Sequence, residues 1–74
     1  MAPEENVVLQ VMLDGSRRDQ FDDVVRALEH MGGVVVMQLP EAGLLAVRIA
    51  QRLTDDVKRI DSVAIVEQSR TLSV

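Results

Sequence analysis

The residue types that most often carry enzyme chemistry are scarce in this sequence. It has no cysteine and a single histidine, His30. A zinc site takes several Cys or His ligands, and a histidine that acts as a general base needs a nucleophile beside it. His30 falls at the end of a predicted helix, where a cationic side chain interacts favourably with the helix dipole. We therefore interpret His30 as an exposed or capping residue, and we predict no metal site.

The other charged clusters are adjacent pairs. Asp22-Asp23 and Asp55-Asp56 lie in predicted helices, where neighbouring side chains point in different directions, so neither pair forms a two-carboxylate site. Arg17-Arg18 is a candidate processing or anion-binding dyad, and solvated charge ahead of a helix is the simpler interpretation. None of these pairs predicts catalysis.

Two glycine-containing segments share only part of the pattern of a phosphate loop. Asp14-Gly15-Ser16 lies between a predicted strand and helix, but phosphate loops need several glycines and usually a lysine. Gly32-Gly33 follows a helix, so it is expected to cap that helix. An acylphosphatase-like site needs an Asn on the sheet, and Asn6 is the only one. We predict that the protein is not an enzyme and uses no cofactor.

Composition excludes further classes. The net charge is −4 and Phe21 is the only aromatic residue, so neither the basic surface nor the stacking platform of a nucleic-acid-binding protein is present. The apolar runs are too short to span a membrane. The acidic N-terminus lacks the basic region of a signal peptide, which predicts a cytoplasmic location by default.

The 74 residues form one predicted domain, with tails at residues 1–5 and 69–74. Alternating apolar residues predict strands at 6–13, 34–39, 44–49 and 63–68. Apolar residues at helical spacing predict one helix that begins near a capping box of Ser16 and Asp19 and ends at Gly32-Gly33. A second helix is predicted from about Gln51 to Ile60, with Thr54 as an alternative start.

This order predicts a ferredoxin-like βαββαβ fold of the α+β class. Its sheet has four antiparallel strands in the order 4-1-3-2, with both helices on one face. Leu45, Val47 and Ile49 are expected to face the helices. The opposite face of the sheet is then expected to carry a second set of apolar residues: Val8, Met12, Leu44 and Ala46. An apolar patch of this kind predicts a partner.

The second half of the chain has a recognisable succession of segments. The strand Leu44-Leu45-Ala46-Val47-Arg48-Ile49 is followed by a short helical segment and then by Val63-Ala64-Ile65-Val66-Glu67. This succession resembles that of the propeptide inhibitors of subtilisin-like serine proteases, in which a strand similar to Ala-Val-Arg-Leu is followed by about a dozen helical residues and a strand similar to Val-Ala-Tyr-Val-Glu. The Val-rich first half, with its helix closed by Gly-Gly, also fits.

The resemblance implies a protease-binding module with a subtilisin-like serine protease as its partner. The open sheet face, including Leu44 and Ala46, would pack on two surface helices of the protease. Glu67 and Ser69 would cap those helices, and Ser69 stands where the family often has Asp. The tail would lie extended in the active-site cleft. The tail residues implied in protease binding are Thr71, Leu72, Ser73 and Val74.

Two other interpretations remain open. One is a regulatory ligand-binding domain similar to the ACT domains, which would use the loop at Asp14-Gly15-Ser16 in paired subunits. The other is a homo-oligomeric adaptor, in which a homodimer forms through the same sheet face or through an exposed edge strand. Within the protease-binding interpretation, three alternatives stay open: a stand-alone inhibitor, an excised prodomain, or a scaffold that has lost protease binding.

Overall fold

The strands and helices follow the predicted order. The structure is a computed structural model that describes residues 5–68. The strands are β1 Asn6–Leu13, β2 Val34–Leu39, β3 Leu44–Ala50 and β4 Val63–Gln68. The helices are α1 Phe21–His30 and α2 Thr54–Lys58. Within residues 5–68, no helix has the length and apolar character needed to cross a bilayer.

The sheet has the strand order β2-β3-β1-β4, with every neighbouring pair antiparallel. This is the predicted order 4-1-3-2 read from the opposite edge, so the ferredoxin-like prediction is confirmed. The two long strands β1 and β3 lie at the centre, and β2 and β4 form the two edges.

The core lies between the sheet and the two helices. β1 contributes Leu9, Val11 and Leu13, and β3 contributes Leu45, Val47 and Ile49 at alternate positions, as expected for strands with one face in the core. The helices contribute the buried residues Phe21, Val24, Leu28 and Val57. The predicted helix-facing residues of β3 are therefore correct, and both helices cover the same face.

The start of the first helical segment differs from the prediction. A 3-10 segment, Gly15–Gln20, precedes α1, and the residue that caps it is Asp14. The Asp14 carboxylate accepts hydrogen bonds from the Ser16 backbone amide at 3.0 Å and from the Ser16 hydroxyl at 2.9 Å. The prediction of a capping box at Ser16 was wrong, because the Ser16 amide, which the Asp19 side chain would accept in a capping box, already donates to the Asp14 carboxylate.

The end of α1 at Gly32-Gly33 was predicted correctly. Gly32 has a φ of 88°, a left-handed conformation that favours glycine. Its amide donates to the Glu29 carbonyl at 3.0 Å, and the Gly33 amide donates to the Leu28 carbonyl at 2.9 Å. These two bonds are those of a Schellman motif, which satisfies the last carbonyl groups of the helix.

The second helix is shorter than the range 51–60. Gln51–Leu53 is a 3-10 turn, and the α-helix begins at the alternative start, Thr54. β3 continues one residue beyond the predicted end, to Ala50. Glu5, placed in the N-terminal tail by the sequence, accepts a backbone hydrogen bond from the Gln51 amide at 2.9 Å.

Candidate functional site: the open face of the sheet

The sheet surface that faces away from the helices is called the open face here. Residues paired directly across an antiparallel sheet point to the same side, so the strand register defines its members. One row crosses all four strands and is entirely apolar: Leu39, Leu44, Met12 and Ile65. The next row contains Met37, Ala46, Gln10 and Glu67, and a third contains Val34, Arg48 and Val8.

Each edge strand has a register shift that determines what the open face displays. In β2 the pairing passes from Val35 to Met37, which leaves Val36 as an extra residue. Because side chains alternate along a strand, an unshifted β2 with Val35 in the core would also turn Met37 and Leu39 toward the helices. The shift turns both of them to the open face.

The same change occurs at the other edge. In β4 the pairing passes from Val63 to Ile65, with Ala64 as the extra residue. Val63 and Val66 pack against the core, while Ile65 and Glu67 share the open face with their β1 partners. Without this shift, Ile65 and Glu67 would point toward the helices.

The open face carries much of the exposed apolar surface of the described residues. Six large hydrophobic side chains are exposed in this part of the chain, and five of them belong to the open face. Their exposed fractions are 39% for Met12, 57% for Val34, 37% for Met37, 47% for Leu39 and 50% for Ile65. A contiguous apolar patch of this kind is typical of a protein-binding surface.

The sequence-predicted contact residues fall at different places on this surface. Leu44 is half-buried in the apolar row, and Ala46 is only 8% exposed because it lies between Met37 and Gln10. Glu67 is exposed in the second row, near the end of β4. Ser69, Thr71, Leu72, Ser73 and Val74 lie outside the described residues.

Sequence reasoning missed four apolar members of the open face: Val34, Met37, Leu39 and Ile65. No local signal could have identified Met37, Leu39 and Ile65, because their orientation depends on the two register shifts. Val34 alone follows from simple alternation, since it precedes the core-facing Val35.

The loop that follows β1 was the candidate ligand site of the ACT-like interpretation. The hydrogen bonds from the Ser16 amide and hydroxyl hold the pKa of the Asp14 carboxyl below its usual value. Arg17 donates to the Asp61 carboxylate at 2.6 Å, and Arg18 donates to the Glu41 carbonyl at 3.0 Å. These side chains therefore tie the loop to two other segments, and no described feature of the loop favours a ligand.

His30 is exposed at the end of α1. With Arg26 and Glu29 it lines an open surface depression on the helix side of the domain, away from the open face. Within residues 5–68, no group of three His, Cys, Asp or Glu residues is arranged to hold a metal ion.

Comparison of this chain with known proteins identifies no relative. No protein-family model, curated protein or solved structure matches this chain. A function must therefore be argued from the open face itself.

Proposed function

We propose that this domain is a protein-binding module that docks through its open face on a subtilisin-like serine protease, which it inhibits or helps to fold. The observation that carries the proposal is the open face itself, an apolar row across all four strands with a carboxylate beside it. The choice of partner rests on the sequence resemblance to subtilisin propeptides.

The apolar row fits docking on helices. The row spans the full width of the sheet, and Met12 and Ile65 at its β1–β4 end are exposed enough to enter the groove between two helices. Burial of apolar surface contributes about 25 cal/mol per Å², so a few hundred Å² at this row would supply several kcal/mol of binding. The adaptable side chains of Met12 and Met37 suit such a contact.

Glu67 supplies the polar part of the interface. It is exposed on the open face, in the row next to Ile65, and its side chain forms no hydrogen bond or ion pair with residues 5–68. A carboxylate placed against the N-terminus of a helix accepts hydrogen bonds from free backbone amides and is favoured by the helix dipole. Glu67 would therefore orient the domain on the protease.

The position of β4 supports a role for the C-terminal residues. β4 is an edge strand that ends at Gln68, next to Glu67, so the described part of the chain ends at the border of the open face. We propose that residues 69–74 enter the active-site cleft by strand pairing, with Val74 at the primary pocket and Thr71 three residues upstream.

Inhibition of a broad-specificity subtilisin tests the proposal. We expect inhibition by the whole chain, and its loss when residues 70–74 are deleted. Ile65→Lys should also abolish inhibition, because it places a charge in the apolar row. Asp22→Asn is the matched control, since it changes the net charge by the same amount at an exposed position on α1.

The result against the proposal is equally clear. A domain that is folded by circular dichroism and shows no inhibition at high micromolar concentration does not bind this class of protease. Inhibition that survives Ile65→Lys would remove the open face from the interface.

A further inference from the structure

Two charged side chains stand out on the open face because all other strand residues of that face within the described chain are uncharged. They are Arg48 on β3 and Glu67 on β4. Both are exposed, and neither side chain has a hydrogen-bond or ion-pair partner within residues 5–68. Each is therefore available to a charge supplied from outside the domain.

Their positions prevent them from pairing with each other. Arg48 lies opposite Val8, and Glu67 lies opposite Gln10, the next residue of β1 on the open face. They are thus separated by two strand spacings of about 4.8 Å and one two-residue step of about 6.7 Å, or about 12 Å between backbone positions. The two charges lie on opposite sides of the middle of β1.

We propose that a second copy of this chain covers the open face in a symmetric dimer, with Arg48 of each copy against the partner's Glu67. A two-fold axis in the plane of the face exchanges these positions if it crosses β1 between Val8 and Gln10. The face is then complementary in charge to itself, and the two ion pairs are equivalent by symmetry.

The same axis also matches the apolar residues. To exchange Arg48 and Glu67, the axis must be perpendicular to the line that joins them. In a flat sheet with the spacings above, it therefore crosses β1 at about 35° from the strand direction and lays Met12 over the partner's Met37. Leu39 comes to lie near the partner's Leu44. The strands of the two copies cross at about 70°, closer to the orthogonal class of sheet packing than to the aligned class. One operation therefore pairs the charges and buries the apolar row.

The size of the face sets the strength of the dimer. Four strands about 4.8 Å apart and seven residues of about 3.3 Å rise give a face of about 19 by 23 Å, or about 440 Å² per copy. A standard stable interface buries about 800 Å² per partner. The dimer is therefore weak and reversible, and at low concentration the open face is free.

Pairing through the sheet edges is the less favoured arrangement. Each edge strand carries a register shift, at Val36 in β2 and at Ala64 in β4. Bulges interrupt the row of free backbone groups that a second strand would need, and they are a known protection of edge strands. The open face has no such protection.

The dimer has a regulatory consequence that does not depend on the identity of the partner protein. Any protein that binds the open face competes with the second copy for the same residues. The domain would then bind its target in proportion to the free monomer, and self-association would limit binding at high concentration.

Sedimentation equilibrium tests the dimer and its charge pairs. Detection uses refractive index, because the chain has no Trp, Tyr or Cys. Arg48→Glu and Glu67→Arg should each weaken dimerisation about tenfold, because each change sets like charges together at both symmetric pairs, and tenfold corresponds to about 1.4 kcal/mol. The double variant should return to within about threefold of the original chain, since both pairs re-form with reversed polarity.

Matched controls separate these effects from net charge. Asp22→Arg and Arg26→Glu make the same charge changes on exposed positions of α1 and should leave dimerisation unchanged. Circular dichroism of each variant verifies folding. Self-association is measured without protease, and subtilisin inhibition by the original chain is measured at concentrations where the monomer dominates, so failure of the dimer and failure of protease binding are seen in separate assays.

Three outcomes would overturn the dimer proposal. One is a chain that remains monomeric at millimolar concentration. Another is a dimer that both single reversals leave unchanged or that the double variant does not restore. The third is a dimer that is lost in Val36→Lys at the β2 edge while the reversals are neutral, which would assign the contact to edge pairing.

Discussion

Replacing Gly33 by alanine should destabilise the fold through one methyl group. A Cβ at this position would lie 2.8 Å from Val47 Cγ2, 2.9 Å from the Leu28 carbonyl oxygen and 3.3 Å from Ile49 Cδ1. Carbon atoms pack best at about 3.5–4.0 Å, so the first contact is too short by almost 1 Å. Gly33 does not have a positive φ, and the cost is therefore steric.

The neighbours of Gly33 have little freedom to move. Val47 and Ile49 are 0% and 1% exposed in the central strand β3. The Leu28 carbonyl accepts the Gly33 amide at 2.9 Å, so moving it weakens the bond that closes α1. Overpacking of this kind costs about 1–3 kcal/mol and a weakened hydrogen bond costs about 1 kcal/mol. The reduced freedom of the unfolded chain offsets about 0.5 kcal/mol of this cost, for a net destabilisation of about 1.5–3.5 kcal/mol.

Urea unfolding followed by circular dichroism measures this effect. With a slope of about 1 kcal/mol per M for a small domain, Gly33→Ala should lower the midpoint by about 1.5–3.5 M urea. Gly15→Ala is the matched control, because a Cβ there meets nothing within 4 Å and the φ of Gly15 is not positive. The control should leave the midpoint unchanged or raise it, because alanine at such a position can add up to about 1 kcal/mol of stability. Equal midpoints for both variants would refute the steric argument and the packing of α1 on β3.

Three further predictions concern the core and the first loop. Leu45→Ala removes a side chain that is 0% exposed and should destabilise the domain by about 2–5 kcal/mol in the same urea assay. Asp61→Asn breaks the 2.6 Å ion pair with Arg17. Because the side chains of Asp61 and Arg17 are 85% and 46% exposed, the free energy of unfolding should fall by less than about 1 kcal/mol, and a larger fall would contradict the placement of this pair at the surface. The lowered pKa of Asp14 means that its contribution to stability is present above the pKa of the unfolded chain, about 3.9, and is lost as the pH falls through the folded pKa. When the free energy of unfolding is measured against pH, Asp14→Asn should therefore lose less stability below about pH 4 than the original chain loses. Identical pH profiles for the two chains would show that the Ser16 hydrogen bonds do not lower the pKa of Asp14.

The open face links the two proposals about function. Protease binding and dimerisation would use the same apolar row and the same carboxylate, Glu67. They differ in Arg48, to which the dimer proposal assigns a specific contact and the protease proposal does not. A weak dimer of about 440 Å² per copy would give way to the proposed protease complex if that complex adds the C-terminal residues to the same face, because the area of contact limits how firmly the second copy can hold.

Local sequence pattern was sufficient to identify the elements and their order. The alternation in β1 and β3 and the helical spacing from Phe21 to Met31 identify the core-facing residues, since burial on one face imposes a period of about two or 3.6 residues. Strand order then follows from the few topologies open to two βαβ units. Residues Leu45, Val47 and Ile49 were placed correctly by this reasoning alone.

Contacts between residues far apart in sequence determined the structure of the loop around Asp14 and the composition of the candidate site. Arg17 meets Asp61 across 44 positions of the chain, and no local pattern contains that information. The register shifts at Val36 and Ala64 are likewise properties of strand pairs. They turn Met37, Ile65 and other side chains away from the core, because one extra residue reverses the side to which every following side chain points. The sequence alone therefore determined that this chain folds as a ferredoxin-like sheet with helices on one side, whereas the tertiary packing of the edge strands decided what its open face presents to a partner.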